Sequence, residues 1–188
     1  MANTLPGTSI EIQNMTRGCS KQLFDSIFVT GGITLSQVCI MTGLEPYLVQ
    51  NWVRRKFLSP PKGRLYSQSQ FSRIVIINML RESLQIEQIC ELISVTSATL
   101  YDDSDDIIKD DHLYHKCVDM LCDENLRLAN HASIEAAADR VAAEFDDSLP
   151  VPKKQLSGIL QVMAYAHFAS VLKKRAQDIL VDINIERN

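Results

Sequence analysis

Glycine and proline are scarce in this chain, at seven and six of 188 residues, while 46% of the residues are hydrophobic. That balance argues against extensive disorder and for an ordinary globular composition. There is no basic start followed by an apolar run in MANTLPGTSIEIQNMTRG, so no signal peptide is expected. There is also no long uninterrupted apolar segment. The best candidate, Leu156 to Leu172, contains Ser157, Gln161, His167 and Ser170, and it falls short of the roughly 20 residues a membrane span needs. A buried helix accounts for it, and no membrane association is expected. The five cysteines form no even framework and no Cys-x-x-Cys pair. Cys39 and Cys90 sit among apolar residues, as reduced thiols in a cytoplasmic protein do. Without Cys-x-x-Cys, the group His112, His115, Cys117 and Cys122 lacks the tight spacing of a zinc site, and no metal is expected. No glycine-rich phosphate loop, nucleophile motif or His-Glu-x-x-His occurs. The reading is therefore not an enzyme, with no cofactor.

What the chain does have is an uneven division of charge. Its net charge is −4, yet residues 31–95 carry seven Lys/Arg against four Asp/Glu, while residues 96–188 carry ten against seventeen. The stretch NWVRRKFLSPPKGRLYS, Asn51 to Ser67, holds Arg54, Arg55, Lys56, Lys62 and Arg64 and no acidic residue. A basic unit joined to an acidic one is the pattern to explain.

Residues 1–8 read as a loose tail, followed by a short amphipathic helix through Leu23, Ile27 and Phe28 that Gly31-Gly32 ends. Thr34 and Gln37 have the spacing of a capping box. They open a helix that buries Leu35, Val38, Cys39 and Met41 and closes at Gly43. Glu45-Pro46 opens the next helix, with Pro46 in the tolerated first position. There Leu48, Val49, Trp52 and Val53 face inward, and the single tryptophan is a core residue. Tyr47, Gln50, Asn51, Arg54 and Arg55 take the outer face. Two helices joined by so short a glycine-containing turn fit a helix-turn-helix. FLSPPKGRLYS then predicts a short two-stranded loop, or wing. Ser67 and Gln70 repeat the capping spacing before a helix through Phe71, Ile74, Val75, Ile77 and Leu80. A fourth helix carries Ile86, Ile89, Leu92 and Ile93.

In this order the segments LSQVCIMTGLEPYLVQNWVRRKFLSPP, GRLYSQSQFSRIVIINMLRE and LQIEQICELI resemble the N-terminal winged helix-turn-helix of the MerR family of bacterial regulators. The shared features are the Gly then Pro at the turn, the Trp in the second helix, the Leu-x-Pro exit, the Arg-x-Tyr-Ser wing end and the closing Ile-x-x-Ile-x-x-Leu pattern. The resemblance covers about residues 33–94. Three positions depart from the family. Gln50-Asn51 stands where an arginine often precedes the aromatic. Lys56 stands where a glycine usually follows the Arg-Arg pair. Gln85 replaces a Ser/Thr cap. The whole layout also resembles a family of uncharacterised bacterial proteins that join a MerR-like domain to an all-helical region. By resemblance, such regulators distort promoter DNA so that polymerase can use a poorly spaced site.

From Val95 the character changes. Six aspartates fall between Asp102 and Asp111, and residues 95–106 read as an acidic linker. Ile107, Tyr114, Leu121 and Leu128 repeat every seven residues, with Cys117 and Val118 between, as in an amphipathic helix. Ser133 to Phe145 reads as an Ala-rich helix, broken at Asp146 to Pro152. Lys153 to about Ile183 reads as one long helix, apolar on nearly every face until Lys173-Lys174-Arg175. That belongs in a core or a subunit interface.

The expected fold is mainly α: residues 1–32 as tail and short helix, a winged helix-turn-helix over 33–94, a linker, and an all-α domain over 107–188. The expected function is sequence-specific binding of double-stranded DNA by a bacterial transcriptional regulator. Arg54 and Arg55 can reach guanine edges or phosphates, and Gln50 and Asn51 can pair with adenine. Lys56 adds charge, Tyr47 shares the outer face, and Lys62, Arg64 and Tyr66 on the wing can grip the flanking backbone. A single module rarely buries enough surface for tight binding, so a homodimer through the C-terminal helices is expected. A small-molecule effector between those helices, near Met163, Tyr165 and Phe168, is a further reading. The alternative is a protein-interaction module that keeps the fold without DNA, a reading Gln50-Asn51 favours.

Overall fold

The computed structural model describes residues 3–97, 106–123, 126 and 130–185. Helices dominate. β1 (Asn3–Thr4) pairs antiparallel with β2 (Glu11–Ile12). α1 (Cys19–Ile27) follows, then β3 (Ile33–Thr34), α2 (Leu35–Thr42) and α3 (Pro46–Arg54). β4 (Leu65–Tyr66) leads into α4 (Gln68–Leu80) and α5 (Ile86–Ser94). The acidic half supplies α6 (Asp110–Leu121), α7 (His131–Ala143) and α8 (Lys153–Ile185).

The local signals act as expected. Thr34 caps α2 and Ser67 caps α4, each in a reciprocal box with Gln37 or Gln70, so two otherwise unpaired backbone donors are satisfied at each start. Gly43 closes α2 in the left-handed region at φ 70°. α5 starts without Ser or Thr, and Gln88 Oε1 accepts from the Gln85 backbone N–H at 2.9 Å in its place.

α4 is the centre of the molecule. Every residue from Gln70 to Ile77 is buried, so this helix is enclosed on all sides. α2, α5, α6 and α8 all pack on it, and α7 packs on α8. The core therefore does not stop at the expected 95–106 boundary. One hydrophobic cluster runs from Phe24 and Val49 through Ile74 and Val75 to Tyr114, Ile134 and Leu160. Phe24 stacks on Tyr114, with ring centroids 5.3 Å apart, and packs against Phe71 at 5.1 Å.

A buried ion pair crosses the same seam. Arg73 is fully buried; its Nε donates to Asp110 Oδ2 at 2.5 Å, and one terminal nitrogen donates to Ser97 Oγ at 2.8 Å. The same nitrogen lies 3.3 Å from Asp106 Oδ1. Asp106, read from the sequence as linker, is thus a structural ligand of α4. Of the acidic run, Asp102, Asp103 and Asp105 lie outside the described residues, as does Leu128.

Two expectations are corrected. Residues 1–8 are not a loose tail over the described part. Leu5 is buried, the Tyr114 hydroxyl donates to the Pro6 carbonyl at 2.8 Å, and Asn78 Nδ2 donates to the Gly7 carbonyl at 2.9 Å. At Gly7, φ is 73° and an added Cβ would meet the Val75 carbonyl oxygen at 2.4 Å, so the hairpin sits hard on α4. The wing is also not a hairpin of its own. β4 pairs back to β3, just before α2, and the loop holds one bridge, Lys62–Leu65, around a tight turn with Gly63 and Arg64 both left-handed.

Candidate nucleic-acid interface

α3 places the candidate residues by its periodicity. Val49 and Trp52 are buried, and Leu48 and Val53 are half-buried. The opposite face is left to Tyr47, Gln50, Arg54 and Arg55, all exposed, with Asn51 half-buried at its edge. Tyr47 is 65% exposed at the start of the helix. Across the loop, Lys62 and Arg64 are exposed. Gln50, Arg64, Leu35, Val53 and Pro61 share a cleft of about 410 Å³, so the helix and the loop present one continuous surface.

The two arginines differ. Arg54 donates to Asn51 Oδ1 at 2.7 Å, within the outer face. Arg55 turns away toward α5, 3.0 Å from a Glu87 carboxylate oxygen, with its guanidinium 4.6 Å above the Phe57 ring. That holds Arg55 on the flank of α3, beside Arg81, which lines the same open cleft at the start of α5. Arg81 was not among the residues read from the sequence. Its only signal there is position, one residue past the end of α4.

Lys56 shows how the Arg-Arg-Lys run is accommodated. Its φ is 62°. Its N–H donates to the Val53 carbonyl at 3.1 Å, and the Phe57 N–H donates to the Trp52 carbonyl at 2.9 Å. Those two bonds are a Schellman motif ending α3, with Lys56 in the left-handed position that glycine fills most easily. The side chain is exposed next to Arg54 and Arg55.

Tyr66 is corrected. It is 3% exposed, held in β4, and burial pushes its hydroxyl pKa up. It forms part of the wall of the cleft that Gln50 and Arg64 share, with little of its surface open.

The His/Cys group of the C-terminal half is packed rather than gathered. His112 lies against Phe145, the Ser20 hydroxyl and His115 Nδ1 are 2.9 Å apart, and burial pushes the Cys117 thiol up to about 12. Among the described residues no three His, Cys, Asp or Glu side chains converge to hold a metal. Of the residues read as an effector pocket, Met163 is buried in the core, and Tyr165 Oη lies 2.7 Å from His131 Nδ1. No described helix is long and apolar enough to cross a membrane.

A family described as "Domain of unknown function (DUF1836)" matches residues 34–117. The match begins at the Thr34 cap of α2 and runs past α5 into α6, so it takes in Tyr114 and the Asp106 and Asp110 partners of Arg73. The chain is also similar to the "Uncharacterized protein YkrK" of Bacillus subtilis (strain 168), 24% identical over 164 residues, covering 79% of this chain and 70% of that protein. No solved structure matches.

Proposed function

We propose that this chain is a sequence-specific DNA-binding protein, a transcriptional regulator with a MerR-like winged helix-turn-helix in which α3 enters the major groove. One observation carries the reading. Asn51 to Ser67 holds five basic residues and no acidic one, and Gln50, Arg54 and Arg64 stand exposed on one surface of α3 and the following loop. Positive charge is what neutralises phosphates, and an exposed helix face with long polar side chains is what reads base edges. In this reading Gln50, Asn51 and Arg54 meet bases, with Tyr47 at the leading end of the helix. Lys56, Lys62 and Arg64 meet phosphates, and Arg55 and Arg81 hold the backbone on the flank. Two copies bind a pseudo-palindromic site, because one such module covers too little DNA for tight binding.

A second reading, a protein-interaction module, draws on Arg55, whose guanidinium is engaged by Glu87 and Phe57. Selection of genomic fragments by the wild type and by an Arg54→Ala/Arg55→Ala variant, at low and near-physiological salt, separates the two. Enrichment of a short two-fold motif that the variant loses supports DNA reading. Recovery of the same unspecific fragments by both proteins, or of none, sinks it.

A further inference from the structure

The far end of α8 carries exposed apolar side chains that no described residue covers. Every residue from Val171 to Ile183 is exposed, including Leu172 at 54% and Leu180 at 59%. Lys173 ties this segment to the body through a 2.5 Å salt bridge to Glu82. A stripe runs along the helix at alternating steps of four and three residues, the seam spacing of a coiled coil. It starts on the body at Gly158 and Val162 and ends on the arm at Ile179 and Ile183.

The body end of that stripe is itself a receptor. Leu92 and Val95 of α5, with Gly158, Ile159 and Val162 of α8, line an almost wholly apolar cleft of about 650 Å³. Among the described residues nothing requires glycine at position 158. An added Cβ would meet nothing within 4 Å, and glycine inside a helix is less stable there than alanine. Its use at the floor of an apolar cleft fits close approach by another helix.

We propose that the occupant is the arm of a second copy, laid antiparallel along the body of α8 by two-fold symmetry. This specifies the two-copy arrangement proposed above and does not depend on DNA recognition. One register sets a large residue against a small one in three of its four pairs and joins two aliphatic residues in the other. Ile183 of the second copy sits over Gly158, Ile179 beside Val162, Ala176 against Tyr165 and Leu172 against Ala169. Each contact is made twice across the symmetry axis. Arg175 then lies along Phe168, and Asp182 beside Gln161. Sliding the pair one heptad toward the arm sets Lys173 against Lys173 and Arg175 against Arg175 of the other copy, which like-charge repulsion disfavours. The stripe spans about 37 Å from Gly158 to Ile183 at 1.5 Å per residue.

The test is sedimentation of the full chain across concentration, with circular dichroism to check folding. Wild type should be a dimer. Leu172→Glu/Ile179→Glu, which alters only residues exposed in one copy, should remain folded and raise the dissociation constant by roughly 100-fold or more. Gly158→Leu should weaken the dimer by roughly tenfold or more, because the added side chain fills the cleft. Val162→Cys/Ile179→Cys, oxidised, should yield peptides linking 162 of one copy to 179 of the other. A monomeric wild type, a dimer that survives the double Glu variant, or crosslinks that exclude 162 would each overturn the proposal. The Arg54→Ala/Arg55→Ala variant should still dimerise, so loss of DNA binding and loss of the arm contact are read separately.

Discussion

Lys56 offers a test in which stability and DNA binding respond to different parts of one residue. It holds φ 62° at the Schellman position after α3. A residue with a Cβ in the left-handed region costs roughly 1–2 kcal/mol relative to the right-handed one, and glycine relieves this while losing about 0.5–1 kcal/mol through greater freedom when unfolded. Lys56→Gly and Lys56→Ala both remove the side chain, and only the first relieves the backbone. The Gly variant should exceed the Ala variant by about 1 kcal/mol, or about 2–4 °C in Tm for a chain of this size. Both should lose DNA affinity equally, roughly fivefold near physiological salt if one phosphate contact is removed. The slope of log affinity against log salt should fall by about 0.9 per contact. Thermal melts and salt titrations of all three proteins read this out. Equal stability of the two variants would refute the backbone argument; an unchanged salt slope would refute the phosphate contact.

Arg73→Met should destabilise the fold by about 3–5 kcal/mol in urea titration, since it leaves two carboxylates buried without their cation. Arg73→Lys should recover little, because an ammonium cannot span Asp110, Ser97 and Asp106 as the fork does. His167 should make the protein acid-sensitive. Burial lowers its pKa to about 4, so the folded state keeps it neutral while the unfolded state takes up a proton below about 6.5. Its stabilising contribution is complete above pH 6.5 and is lost as pH falls toward 4. That loss amounts to roughly 1–2 kcal/mol at pH 5. The drop in stability from pH 7 to pH 5 should therefore be smaller in His167→Gln, and an equal drop would rule this out.

Much of the helical order was legible because its signals are local. The boxes at Thr34/Gln37 and Ser67/Gln70, Pro46 at a helix start and the inward set around Trp52 each depend on residues within one or two turns. The outer face of α3 was legible for the same reason. What escaped depends on distant partners. Asp106 looks like solvated linker until Arg73, 33 residues away, is seen beside it. The N-terminal hairpin has two-residue strands, too short for any alternation to show. Tyr66 ends a motif that reads as a loop, and only its pairing with Ile33 turns it inward. For α8, apolar composition alone did not distinguish the buried stretch from the exposed arm.

The bond from Tyr114 to the Pro6 carbonyl spans 108 residues of chain, and that separation sets an order of events during synthesis. Pro6 is made 108 residues before Tyr114, yet the cover over it and Leu5 comes from α4 and α6. At 5–20 residues per second, roughly 5–20 s pass before Tyr114 has been made. Until then the hairpin has nothing to close against, and Arg73 waits on the enclosed helix for Asp106 and Asp110. α2 and α3, though made before α6, are thus completed by the acidic half. A nascent chain stopped at residue 94 would carry the basic surface on an unfinished core.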